Sequence, residues 1–221
     1  MPLDSVNIAR LAGGWSSMGA LASSDGSANH RYLQRLQANV EPLRDLADAA
    51  HYMCILHGRY PGVIDHAIVH AQPGLEQAWL ESAAAAFATE RAFLVRIVAA
   101  AGPLPSTPGH AESEAAAAAQ RHALETLAQS DRTGCAVGAA LALAIDWIDI
   151  RKVLDAAATR LNLIPPGSTL PPFEETATVI DALVRSGSVE RAMLFGAQQL
   201  FAQHRGLWDL LEVRASARDR H

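Results

Sequence analysis

Apolar residues recur at three- and four-residue spacing through most of this chain, the period of helices packed by one face. The pattern is densest in Cys135–Leu161, CAVGAALALAIDWIDIRKVLDAAATRL. At about 100° per residue, Leu141, Ile145 and Ile148 form one apolar stripe. Leu143, Trp147, Ile150 and Leu154 form another, nearly opposite. A helix apolar on two opposed sides belongs between neighbours, so this segment is expected as the buried centre of the fold. Gly138 and the surrounding alanines let another helix approach closely. Asp146 and Asp149 fall between the stripes, whereas Arg151 and Asp155 occupy the other gap and are expected at solvent. The uncharged run ends at Asp146, short of the about 20 apolar residues that a bilayer span needs.

The other segments follow the same period. Helices are expected over 30–39, with Asn29 as cap, and over 41–57, 61–70, 73–101, 110–129, 173–186 and 189–213. Proline- and glycine-rich loops at 102–109 and 162–172 separate them. This predicts an all-α fold, a single bundle of about six to eight helices around the buried helix 135–161. The domain should cover 29–213. Residues 1–28, rich in Gly, Ser and Ala, read as a flexible or loosely docked arm, and 214–221 as a charged, frayed tail.

Polar residues interrupt the apolar faces at a few places. Glu90 lies in the middle of the face built by Trp79, Ala83, Phe87, Phe93, Leu94 and Ile97. His204 lies in the middle of the face of 189–213, and His57 ends the face of 41–57. With Asp146 and Asp149 they come from four helices whose inward faces converge. A charge in an apolar setting must be paired, hydrogen-bonded or neutralised. Inward Glu, Asp and His are also how bundles hold metals or polar ligands. Glu90, Asp146, Asp149, His204 and His57 are therefore the candidates for an internal polar site. Each also has a structural reading, a buried pair that fixes packing; for Glu90 the partner would be His204 or an arginine. His66 and His70, four residues apart, have the spacing of two ligands to one metal, but no HExxH or companion cysteine supports them. Asp45, Asp48 and His51 drift away from the apolar face and suit solvent, or one another, as easily as a metal.

Composition narrows the function. Of 221 residues, 50% are hydrophobic but only 5% aromatic, which suits closely packed helices rather than a sheet. The net charge of −5 argues against a nucleic-acid partner. Cys54 and Cys135 sit inside helical patterns and read as buried thiols. The first residues lack the apolar core of a signal peptide, so a cytoplasmic location is expected. Phosphate-binding glycine loops, GxSxG, zinc-finger spacing and the paired Glu-x-x-His of di-iron bundles are missing, and no cofactor is identified.

The segment HYMCILHGRYPGVIDHA resembles part of uncharacterised helical proteins of alphaproteobacteria, which implies one helical domain over most of the chain. Helix count, chain length and interior polar residues also resemble haem-oxygenase and thiaminase-like bundles. No motif accompanies that likeness, so it implies architecture and transfers no catalytic residue. Two function classes follow. The first in rank is a non-enzymatic scaffold or interaction protein acting by self-association as a homo-oligomer or by protein binding, because a fold alone does not imply catalysis. The alternative is a small-ligand or metal-binding bundle, including an oxidative enzyme, with Glu90, Asp146 and His204 at its centre.

Overall fold

The computed structural model describes residues 14–104, 107–184 and 186–220. Among them are nine α-helices, one 3₁₀ turn and no strand: α1 (Gly14–Asp25), the turn Ser27–Asn29, α2 (Arg31–Gln37), α3 (Leu43–His57), α4 (Val63–Val69), α5 (Leu75–Ala101), α6 (His110–Ala128), α7 (Cys135–Arg160), α8 (Phe173–Leu183) and α9 (Gly187–Asp219). The all-α bundle expected from the periodicity is the observed architecture.

Helix α7 is the central element. Nearly every residue from Cys135 to Ala144 is buried, as are Trp147, Ile150, Val153 and Leu154. It is entered through Gly134 at φ 93°, a left-handed conformation that favours glycine. Helix α9 crosses it at very short range. A Cβ added to Gly138 would lie 2.1 Å from the Met193 carbonyl oxygen, and one added to Gly196 would lie 2.1 Å from that of Cys135. The two glycines put backbone against backbone, and no side chain fits between.

Four expectations are corrected. The lead segment is not loose where it is described: α1 buries Trp15 and Met18, one helical turn apart, in the core. Its residues 1–13 lie outside the described part. The cap of α2 is His30, whose Nδ1 accepts from the Tyr32 N–H at 3.2 Å, not Asn29. The charged tail does not fray. Helix α9 continues to Asp219 because Asp45 and Asp48 of α3, expected away from the core, are buried and take their cations from it. Arg214 Nε donates to Asp48 at 3.1 Å and Arg218 Nη2 to Asp45 at 2.5 Å. A second Arg218 nitrogen bonds Asp48. Buried carboxylates left without cations would be strongly destabilising, which ties the last turns of α9 to α3.

Candidate functional site

The inward acid of α7, Asp146, is only 3% exposed and meets three donors. The Ser27 main-chain N–H donates to Oδ1 at 2.7 Å, and the Ser27 hydroxyl donates to Oδ2 at 2.5 Å. His204 of α9 donates from Nδ1 to the same Oδ2 at 2.6 Å. On the far side of that ring, His204 Nε2 faces His57 Nε2 at 2.8 Å, so one proton is shared between the two imidazoles. At the other end, the Trp208 indole N–H donates to Ser27 Oγ at 2.8 Å. The chain Trp208–Ser27–Asp146–His204–His57 thus links the 3₁₀ turn, α3, α7 and α9 through the core.

His57 sits among apolar rings, edge-on to Trp147 at 5.6 Å and to Phe87 at 6.2 Å between centroids. Burial, then His204 and Arg91, hold its imidazolium form well below the usual histidine range. It therefore remains a neutral ring. The order of groups also limits the chemistry. A serine nucleophile needs a histidine against its hydroxyl and a carboxylate behind that histidine. Here the carboxylate stands between serine and histidine, and it is Asp146, not a histidine, that accepts the Ser27 hydroxyl.

Glu90 belongs to a different cluster. Arg151 Nη1 donates to its two oxygens at 2.7 and 2.9 Å, and the Trp147 indole N–H to Oε2 at 3.0 Å. Arg151, expected at solvent, is 7% exposed and lies over the Phe93 ring at 4.5 Å. It also donates to the Pro166 carbonyl and to Asp155, anchoring the proline-rich loop to α7. Trp147 stands between the clusters, with its ring against His57 and its N–H on Glu90. Arg91 is also buried and bridges to Asp65 at 2.9 Å.

The remaining candidates separate. Asp149 is half-buried and pairs with Lys152, the only lysine in the chain. His66 and His70 sit at the end of α4; His70 reaches only Asp131, at 3.9 Å. Among the described residues, no group of three or more His, Cys, Asp or Glu side chains has the geometry to hold a metal ion. Of the five interior candidates, the fold brings His57, Asp146 and His204 together and keeps Glu90 and Asp149 apart. Ser27 and Trp208 complete the chain. Neither carries a sequence signal, because Ser27 lies outside any periodic segment and Trp208 reads as ordinary core. Arg151 had one signal: a buried Glu90 requires a cation, and Arg151 lies on the most buried helix.

A cleft of about 480 Å³ opens on the solvent side of Asp146. Its floor is the face of α7 carrying Ala144, Ile145, Ile148, Asp149 and Lys152. One wall comes from the end of α1, the 3₁₀ turn and α2; the other from Pro171, Phe173 and Thr176. Trp15 and Phe173, edge to face at 4.4 Å, close one end. The expected stripe Leu141–Ile145–Ile148 explains the floor. Leu141 is buried, but Ile148 is 57% exposed, because no helix among the described residues covers the C-terminal half of the stripe.

No curated protein and no solved structure matches the chain, so the likeness to haem-oxygenase and thiaminase-like bundles rests on helix count, chain length and interior polar residues alone. A family model matches residues 22–219, from the end of α1 to the end of α9, and the chain accordingly belongs to a family of unknown function, DUF6975.

Proposed function

We propose that this protein is a non-catalytic binder of a small amphipathic molecule, held in the cleft along α7. The observation that carries this is the uncovered apolar floor: Ile148 is 57% exposed beside Ile145, inside a concavity of about 480 Å³. Ligand sites typically measure about 300–1,000 Å³ and combine apolar walls with a few polar groups. Trp15, Phe173 and the two isoleucines supply the walls here, and Asn29, Gln34, Gln37, Asp149 and Lys152 the polar groups. The interior chain from Trp208 to His57 acts as a scaffold that fixes the cleft wall, since Asp146 ties the 3₁₀ turn to α7 through both Ser27 donors.

The self-association reading draws less support. The exposed large apolar residues, such as Val40, Val69, Val95, Ile164 and Val213, lie on separate elements. No helix among the described residues is long and apolar enough to cross a membrane. Cys54 and Cys135 are free thiols, which fits a reducing, cytoplasmic setting.

The test uses the uncharged fluorescent probe N-phenyl-1-naphthylamine. The parent should bind it saturably at one site. Ile148→Glu, which puts a charge on the exposed floor, should abolish that signal while keeping the parent's thermal transition. Gly206→Ala, away from the cleft, should bind as the parent does. Absence of saturable binding, or equal binding by Ile148→Glu, overturns the reading.

A further inference from the structure

We infer that the outer face of α5 is the interface of a homodimer, in which two copies of this chain pair antiparallel along that helix. The inner side of α5, from Trp79 through Phe87 to Ile97, is buried against the bundle. The outer side is a continuous exposed sector, with Ala78, Ala85, Ala88, Ala92, Val95 and Ala99 along it. At about 100° per residue these six fall within about 100° of one another. Ser82 and Thr89, the neutral polar residues of the sector, are small as well.

A surface helix normally carries charged and polar residues opposite its buried stripe. Between Ala78 and Ala101, α5 has four charged residues, and two of them, Glu90 and Arg91, are buried. The outer face is left with one acid, Glu81, and one base, Arg96. Helix α5 is therefore apolar on two opposed sides, as α7 is, and a helix of that kind belongs between neighbours. Helix α7 finds both within the fold. Among the described residues, nothing covers the outer side of α5, where Val95 is 50% exposed.

The two charges indicate what covers it. Glu81 accepts from neutral Gln77 at 2.8 Å, and neither Glu81 nor Arg96 has an ion partner among the described residues. A second copy of the helix, run antiparallel about a twofold axis between Ala88 and Thr89, sets each Glu81 opposite the partner's Arg96. The same axis sets Ala85 opposite the partner's Ala92 and Ala78 opposite the partner's Ala99. Small residues then face small ones along about 32 Å of helix, which lets the axes approach toward about 8 Å. Parallel pairing in register would instead put acid on acid and base on base. A twofold interface must be self-complementary, and this face is so in one direction only.

A strip one helix wide is small beside the about 1,600 Å² of a standard stable complex, so the dimer is a reversible one. No residue of α5 lines the cleft, so pairing leaves the cleft open and this inference stands apart from the ligand reading.

Sedimentation velocity on the full chain between about 5 and 500 μM is the test, and the parent should pass from monomer to dimer across that range. Glu81→Arg and Arg96→Glu each turn both ion pairs into like-charged pairs, and each should weaken the dimer at least about tenfold. Both replaced side chains are exposed, so the parent's thermal transition should persist. The double exchange Glu81→Arg/Arg96→Glu should restore the parent's dimer. An equimolar mixture of the two single variants should form a heterodimer at concentrations where neither variant pairs alone. A parent that stays monomeric at about 500 μM overturns the inference. A dimer that the single exchanges do not weaken lies on another face and overturns it too. Failure of the double exchange to restore pairing overturns the antiparallel arrangement and the inference with it.

Discussion

Replacing Gly138 with alanine places a methyl carbon 2.1 Å from the carbonyl oxygen of Met193 and 2.7 Å from its carbonyl carbon. Ordinary contact begins beyond 3.4 Å, so α7 and α9 would have to part by roughly 1 Å at their crossing. Both sides of the clash are backbone in helix interiors, and no rotamer change relieves it. A gap of that size forfeits about a quarter to a half of the attraction between the facing atoms. Overpacking of this kind costs about 1–3 kcal/mol, and the absence of a yielding side chain puts Gly138→Ala near the upper end. The alanine returns about 1 kcal/mol in helix propensity, leaving a net loss of about 2 kcal/mol. For a domain of this size that corresponds to a fall of about 4–8 °C in Tm. Gly206→Ala is the matched control in α9. Its new Cβ would meet only the Gln120 side-chain amide, at 2.9 Å, which can swing away. Gly206→Ala should therefore lie within about 1 kcal/mol of the parent, with propensity offsetting the lost Gln120 contact. Urea denaturation followed by circular dichroism measures both, with an unchanged m-value confirming that the denatured state is the same. A Gly138→Ala protein as stable as Gly206→Ala would refute the backbone-contact account of the α7–α9 crossing.

Two further outcomes follow from the buried polar groups. His57 has a depressed folded pKa, so the unfolded chain binds the extra proton; its contribution is complete above about pH 6.5 and is lost as pH falls below it, with a slope of up to about 1.4 kcal/mol per pH unit. Urea midpoints between pH 7.5 and 5 should fall less steeply in His57→Gln than in the parent, and parallel slopes would remove His57 from the acid sensitivity. Ending the chain at Val213 removes Arg214 and Arg218 and leaves Asp45 and Asp48 buried without their cations. That truncation should cost about 3 kcal/mol or more and make α3 protease-sensitive, whereas a truncation at Asp219 should resist proteolysis as the full chain does.

Helix existence and inward faces were legible in the sequence, because both depend on residues three and four positions apart. The central place of 135–161, the close approach at Gly138 and the anomaly of Glu90, Asp146, His57 and His204 all follow from that local period. Pairing is another matter. It depends on the azimuth of each helix and on where helices cross, and neither is encoded in the local pattern. Periodicity left both His204 and an arginine open as partners for Glu90. The Gly138–Gly196 crossing sets α9 so that His204 reaches Asp146 and His57, and Glu90 takes Arg151 instead. Arg151, Asp45 and Asp48 read as lying away from the core because a wheel shows a polar gap but not the helix that later covers it. The cleft is the converse case. Ile148 reads as core from its stripe, yet no helix among the described residues covers it, since α2 ends at Gln37 and α8 begins only at Phe173. A helix knows its own faces from its sequence; which faces are left open is settled by the lengths and angles of the helices around it.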